Sequence, residues 1–271
     1  MLGERLARLG MPKEKFTVIT FGAPAIGNKV FVDKYGDKIN LLRVTNEADP
    51  IPGSMQTFFS VYKQFGEHYK YDLSTKVSNI QHAMALYFDH SVNEYFNAAT
   101  SAAKAGLIQL RSDKNIEEGK PLVAVWVKEG KGLSGNQYIP NLKGFITGCY
   151  KNSLPSYVIM DQSLTELPQD ELLRLSRETG AKYMLACNID TQKVPNEEYS
   201  YIVLGQGLFD TNGKMITMGY FAKKIIPESG YIQVTGENFL QARDALGEQI
   251  PVITQYRELS LLPIDNEGAV F

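Results

Sequence analysis

The chain is short of several things at once. Two cysteines stand in 271 residues, Cys149 and Cys187. That is too few for a disulfide framework, and two isolated cysteines lack metal-ligand spacing. Cys187 lies inside "YMLACNI", an apolar run that reads as a buried strand, so both are read as small core hydrophobes, with a mutual disulfide as the alternative. No excess of basic charge exists: Lys and Arg number 28 against 30 for Asp and Glu, a net charge of -2. Such a balance offers no field for a polyanion, and nucleic acid is not an expected partner. No apolar run approaches the roughly eighteen residues of a membrane span. The opening "MLGERLARLGMPKEK" has no h-region of a signal peptide. Histidine is scarce too, with three in the whole chain.

What is present is an alternation of strand and helix patterns. The hydrophobic share of 44% suits a chain with a real core. "LGERLARLG" spaces Leu2, Leu6 and Leu9 as one face of a helix and stops at Gly10. "KFTVITFG" and "NLLRVTN" read as buried strands with a short helix, "VFVDKYG", between them. "FGEHYKYDL" is a third strand. "SNIQHAMALYFDHSVNEYFNAATSAAKAG" is the longest helical pattern, capped by Ser78 or Asn79 and stopped by Gly106. Its Met84, Tyr87, Phe88 and Tyr95 read as a core stripe. Strand–helix–strand order favours a parallel sheet with crossover helices.

The texture changes after Gly106. "RSDKNIEEGKP" is charged and unpatterned, which puts a linker at 107–120 between a domain over 1–106 and one over 121–271. The second domain reads as strand "LVAVWV", helix "YIPNLKGFITGCYKN", strand "SYVIMD", helix "PQDELLRLSRETG" and strand "KYMLACNI". A β-hairpin about Asp210–Gly213 and a closing helix, "GENFLQARDALGEQI", follow.

One stretch is too particular for a generic turn: "TFGAPAIGN", Thr20 to Asn28. It lacks the Lys-Ser/Thr ending of a phosphate loop and the spacing of a dinucleotide fingerprint. Past the next strand comes "NEADPIPG", where Asp49 sits ahead of prolines that stiffen the loop. His82 follows about thirty residues later. An acid after one strand and an imidazole after a later one follow the order of an α/β-hydrolase. On residues alone, Asp49 reads first as a turn-capping aspartate and only second as a triad acid.

"VITFGAPAIGNKVF", "LLRVTNEADPIP", "FGEHYKYDL" and "QHAMALY" together resemble the C-terminal half of the class 3 lipases, over residues 1–100. Ala25 stands where that family usually has arginine. The resemblance implies an α/β fold: the C-terminal portion of an α/β-hydrolase sheet, followed by a second, smaller α/β domain with an antiparallel hairpin. It implies a serine esterase or lipase acting on acylglycerol-type lipid esters, with Asp49 as triad acid and no metal or organic cofactor. His82 is the expected base, with His90 as its rival, and His68 reads as a hydrogen-bonded strand histidine. No G-x-S-x-G elbow occurs in the sequence: "PGSMQ" lacks the second glycine and "GLSGN" has the wrong spacing. The expectation is therefore a fragment that begins downstream of the nucleophile and is inactive alone.

The second domain, through "VIMDQS", "TGAKYML" and "FDTNGKMI", resembles an envelope α/β domain of the curli-secretion lipoprotein and the Tol translocation protein. That resemblance implies an extracytoplasmic bacterial setting and a protein partner. It also supports the alternative of a non-catalytic interaction module with a vestigial lipase-like half. Asp161 and Asp210 read as strand-end and turn residues.

Overall fold

The computed structural model describes residues 2–254 except 26, 47–48, 59–60, 72–83, 134–138, 162, 164–165, 194, 196–198 and 226–229. The chain divides into two compact units, Met1–His90 and Ser91–Phe271. Both are α/β, but the second is the larger of the two, contrary to the expected order of size, with six strands in its sheet against three in the first.

The first unit runs α1 (Leu2–Arg8), β1 (Thr17–Phe21), β2 (Gly27–Asn28), α2 (Lys29–Tyr35), β3 (Asn40–Asn46), α3 (Ile51–Phe58), β4 (Tyr62–Lys63) and β5 (Glu67–Tyr71). The helix α4 (Met84–Lys104) then carries the chain across the boundary at His90. The sheet has the order β1-β3-β5, and both pairings are parallel, Thr17 opposite Asn40 and Leu42 opposite Glu67. A small core of Tyr35, Ile39 and Leu41 fills in beneath Ala7, Val18 and Phe31. On the other face Ile19 and Tyr69 are 52% and 46% exposed, unusual in a parallel sheet, whose strands normally bury both faces. The proline-bearing loop after Asp49 is short, for α3 begins at Ile51. Pro52 fits there because the first turn of a helix has no intrahelical use for its amide. Ser78 and Asn79, the expected caps of the long helix, lie outside the described residues.

The second unit continues with β6 (Lys114–Asn115), β7 (Val123–Glu129), α5 (Leu142–Ser153), β8 (Tyr157–Ile159) and α6 (Gln169–Glu178). It closes with β9 (Tyr183–Lys193), β10 (Ser200–Asp210), β11 (Met215–Ile225) and α7 (Tyr231–Gly247). The strand order is β11-β10-β9-β7-β8-β6, parallel among β9, β7 and β8 and antiparallel elsewhere. The unbroken "VAVWV" of β7 is explained by this central place. Val123, Val125 and Val127 pack with Phe145, Ile146 and Phe239 from α5 and α7. Ala124 and Trp126 point the other way, against Leu172 and Leu173 of α6. Residues 107–120, read as a linker, include β6, which pairs with β8 at Lys114–Val158. A two-residue pairing carries no periodicity, so sequence pattern does not reveal it. The hairpin turn falls as expected: Asp210 Oδ1 accepts from the amides of Asn212 and Lys214 at 2.8 and 2.9 Å. Gly213 takes the left-handed φ of 84° that closes it.

Candidate acid–base site

Parallel strands send their C-terminal ends to one edge of a sheet, and loops at that edge are where open α/β folds place chemistry. β1 reaches this edge at Phe21. Gly22 turns the chain there with a φ of 58°, its amide donating to the Val44 carbonyl at 2.9 Å. Ala25 is buried. Asn28 ends the stretch by capping α2, its Oδ1 accepting from the Phe31 amide at 3.0 Å. "TFGAPAIGN" is thus a turn, a buried contact and a cap in succession. Its work is to route the chain beside the sheet edge.

β3 reaches the same edge at Asn46, and Asp49 follows, 8% exposed. The Asp49 amide donates back to the Asn46 carbonyl at 3.2 Å. Oδ1 accepts from the Ile51 amide at 2.9 Å, and Oδ2 accepts from the Tyr87 hydroxyl at 2.5 Å. The same hydroxyl accepts from the Asn46 amide at 3.0 Å. Tyr87 is wholly buried and meets Phe21 edge to face, 6.1 Å between centroids. Burial pushes its phenol far above the ordinary range; the hydrogen bond to Asp49 adds to this, and the Asn46 amide opposes it. The tyrosine therefore stays protonated and remains a donor to the carboxylate.

Of the expected bases, His82 lies outside the described residues. His90 sits on α4 one turn beyond Tyr87 and stacks on Tyr71, 5.4 Å between centroids. Tyr71 is the last residue of β5 and lies opposite Asn46. The structure thus brings Asp49 together with Tyr87 and sets His90 against the end of the neighbouring strand. His68, on β5 opposite Arg43, holds Thr45 Oγ1 at 2.8 Å from its Nε2. Desolvation, then the charges of Arg43 and Lys70, push its pKa below the ordinary histidine value. Phe88, placed in the core stripe by the helical pattern, is 52% exposed. Helical spacing reads Tyr87 as core, with substrate contact the alternative, and does not indicate its bond to Asp49. The available signal was its chemistry, since a buried tyrosine, unlike phenylalanine, has a hydroxyl that must find a partner.

In the second unit the two cysteines are free and buried, and burial pushes both thiols up to about 12. Asp161 accepts from the Ser163 amide at 2.8 Å, as a turn residue. Among the described residues no cluster of three or more His, Cys, Asp or Glu could hold a metal ion. Nor is any helix among them long and apolar enough to cross a membrane.

The family model for lipase (class 3) matches residues 1–59. That span holds β1, the "TFGAPAIGN" turn, β3 and Asp49. No curated protein matches the chain. Among the solved structures that resemble part of it are the following three. The PelC dodecamer from Paraburkholderia phytofirmans is 12% identical with a TM-score of 0.32, covering 44% of this chain and 81% of its own. The lipoprotein GNA1162 from Neisseria meningitidis is 10% identical with a TM-score of 0.32, covering 48% and 98%. TolB from Acinetobacter baumannii is 14% identical with a TM-score of 0.31, covering 52% of this chain and 30% of its own. At these TM-scores the functions of the three do not transfer to this chain.

Proposed function

We propose that the first unit carries the acid and base of a serine-esterase site acting on lipid esters of the acylglycerol type. Asp49 is the acid and His82 the base, with His90 as the rival for that role. The observation that supports this most is the Asp49 carboxylate itself. It is nearly buried just past the C-terminal end of a parallel strand, with one oxygen on a backbone amide and the other on Tyr87. A carboxylate so held is oriented and resists rotation, as an acid that must fix an imidazole requires.

In the reaction, the imidazole takes the proton of a serine hydroxyl as its oxygen bonds to the ester carbonyl carbon. Asp49 stabilises the imidazolium. The proton then passes to the departing alkoxide as the ester C–O bond breaks, leaving an acyl-serine for water to hydrolyse. The nucleophile is not assigned to any residue of this sequence, which contains no G-x-S-x-G. The 271-residue chain alone is expected to leave p-nitrophenyl butyrate intact. A fluorophosphonate-reactive serine is the expected mark of the complete site. Asp49→Asn should then lower kcat by roughly 10³- to 10⁴-fold, and of His82→Ala and His90→Ala, the one that removes the base should do the same. Full activity in Asp49→Asn would sink the assignment.

A second reading is a non-catalytic interaction module of the bacterial envelope. It draws support from β11, an edge strand of eleven residues on which Met218 and Tyr220 are 56% and 71% exposed. Residues 91–271 expressed alone should fold cooperatively under this reading; failure to fold would count against an independent module.

A further inference from the structure

We infer that the second unit holds a binding groove for a single-chain anionic amphiphile of the fatty-acid class, between the second half of α4 and α5. The groove encloses about 460 Å³, within the range of small-molecule sites. Phe96 and Leu110 supply apolar walls. On α5, Gly144 and Gly148 face the groove, where the helix contributes backbone and no side chain. Asn97, Thr100, Asn141 and Thr147 also line it, of which Asn141 and Thr147 are already bonded to the backbone of α5, so an alkyl chain is seated along the side made by Phe96, Ala99, Leu110 and the glycines.

The polar end is cationic. Arg111, Lys143 and Lys151 line the groove, and no Asp or Glu does. Lys151 is engaged by Asp113 at 2.5 Å and by the Arg111 carbonyl at 3.2 Å. The Arg111 guanidinium rests instead on the neutral amide of Asn152. An arginine fork with a neutral partner is suited to a carboxylate.

Tyr95 supplies the second, independent observation. It lines the groove, and its hydroxyl is buried without a hydrogen-bond partner. A buried unsatisfied hydroxyl is costly, and a carboxylate head accepts from a hydroxyl. An alkyl carboxylate joins all three features: apolar slot, arginine and orphaned donor. This inference concerns binding by the second unit alone. It stands or falls separately from the acid–base reading of the first.

The test is calorimetric titration of the full chain with decanoate below its micellar concentration, beside decanol and acetate. One saturable decanoate site is expected, with decanol weaker by roughly tenfold or more, the equivalent of one charge-assisted hydrogen bond. Acetate should not compete. Thr100→Trp, at an exposed position on the groove rim, should weaken decanoate roughly tenfold by filling the slot. Arg111→Gln should bring decanoate to the level of decanol. If that variant unfolds, Lys143→Gln makes the same charge test with the same expected direction. Tyr95→Phe should weaken decanoate while leaving the melting temperature unchanged or higher. Equal affinity for decanoate and decanol, competition by acetate, or decanoate binding unchanged in folded Thr100→Trp would each overturn the inference.

Discussion

The hydroxyl of Tyr87 donates to the Asp49 carboxylate across 2.5 Å, joining two residues 38 apart in the chain. Because the same oxygen accepts from the Asn46 amide, one side chain satisfies a donor and an acceptor at the end of β3. Tyr87→Phe keeps the ring and opens no cavity, so its effect isolates the hydroxyl. We expect a loss of about 2 kcal/mol, read by urea denaturation. Hydrogen exchange should accelerate first at Asn46 and Ile51. A variant as stable as the parent would mean that the bond contributes nothing in solution.

His68 makes a pH prediction whose sign is fixed. Its folded pKa is depressed, by desolvation first and by Arg43 and Lys70 after. The unfolded chain, with a histidine near pKa 6.5, therefore binds its proton first on acidification. The first unit should lose stability as pH falls below about 6.5 and through the folded value. A proton titration of His68 by NMR should give a midpoint below that of a model histidine. A midpoint above it would reverse the prediction.

Thiol chemistry offers a third check. Cys149 and Cys187 are buried, with thiols pushed up to about 12. The thiolate is the reactive form, so neither should react with a disulfide dye in the native protein at mildly alkaline pH. Both should react once the chain is unfolded. Fast native labelling of either would show that the core around α5 and β9 opens readily.

Gln206 ties the sheet of the second unit to its helices. Its Oε1 accepts from the Tyr150 hydroxyl at 2.7 Å, and its Nε2 donates to the Ala242 carbonyl at 3.0 Å, all buried. Gln206→Leu removes both bonds, leaving the Tyr150 hydroxyl to the Cys187 thiol and the Ala242 carbonyl to its own helix, and should cost about 2 kcal/mol, seen as a lower melting temperature. Adding Tyr150→Phe removes the hydroxyl left poorly paired and should recover part of the loss. A further additive loss would mean that Tyr150 contributes mainly through packing.

Much of the architecture is legible in the sequence because its elements carry strong local signals. "NLLRVTN" is β3 residue for residue, and "DTNG" holds the hairpin turn. β6 is illegible for the opposite reason: Lys114 and Asn115 become a strand only through Val158 and Tyr157, forty-odd residues away. α3 hides behind Pro50 and Pro52, residues that signal a loop unless their amides fall in a first helical turn. At the site, Asp49 is picked out by its place after a strand. Tyr87 is not, because helical spacing says that a side chain is buried and nothing about what its hydroxyl meets. The family match spans Asp49, while the groove of the second unit has no motif at all. It arises from glycines on one helix and an arginine outside both helices.

The two ends of the six-stranded sheet are unlike. At one end stands β6, two residues long and bearing a lysine; at the other stands β11, eleven residues long. Growth by strand addition needs a receptive end on each new member. Among the described residues only β11 offers a long edge, so copies meeting through it would stop at a closed pair related by a two-fold axis. The short, charged end is a terminator, and it separates self-association from polymerisation.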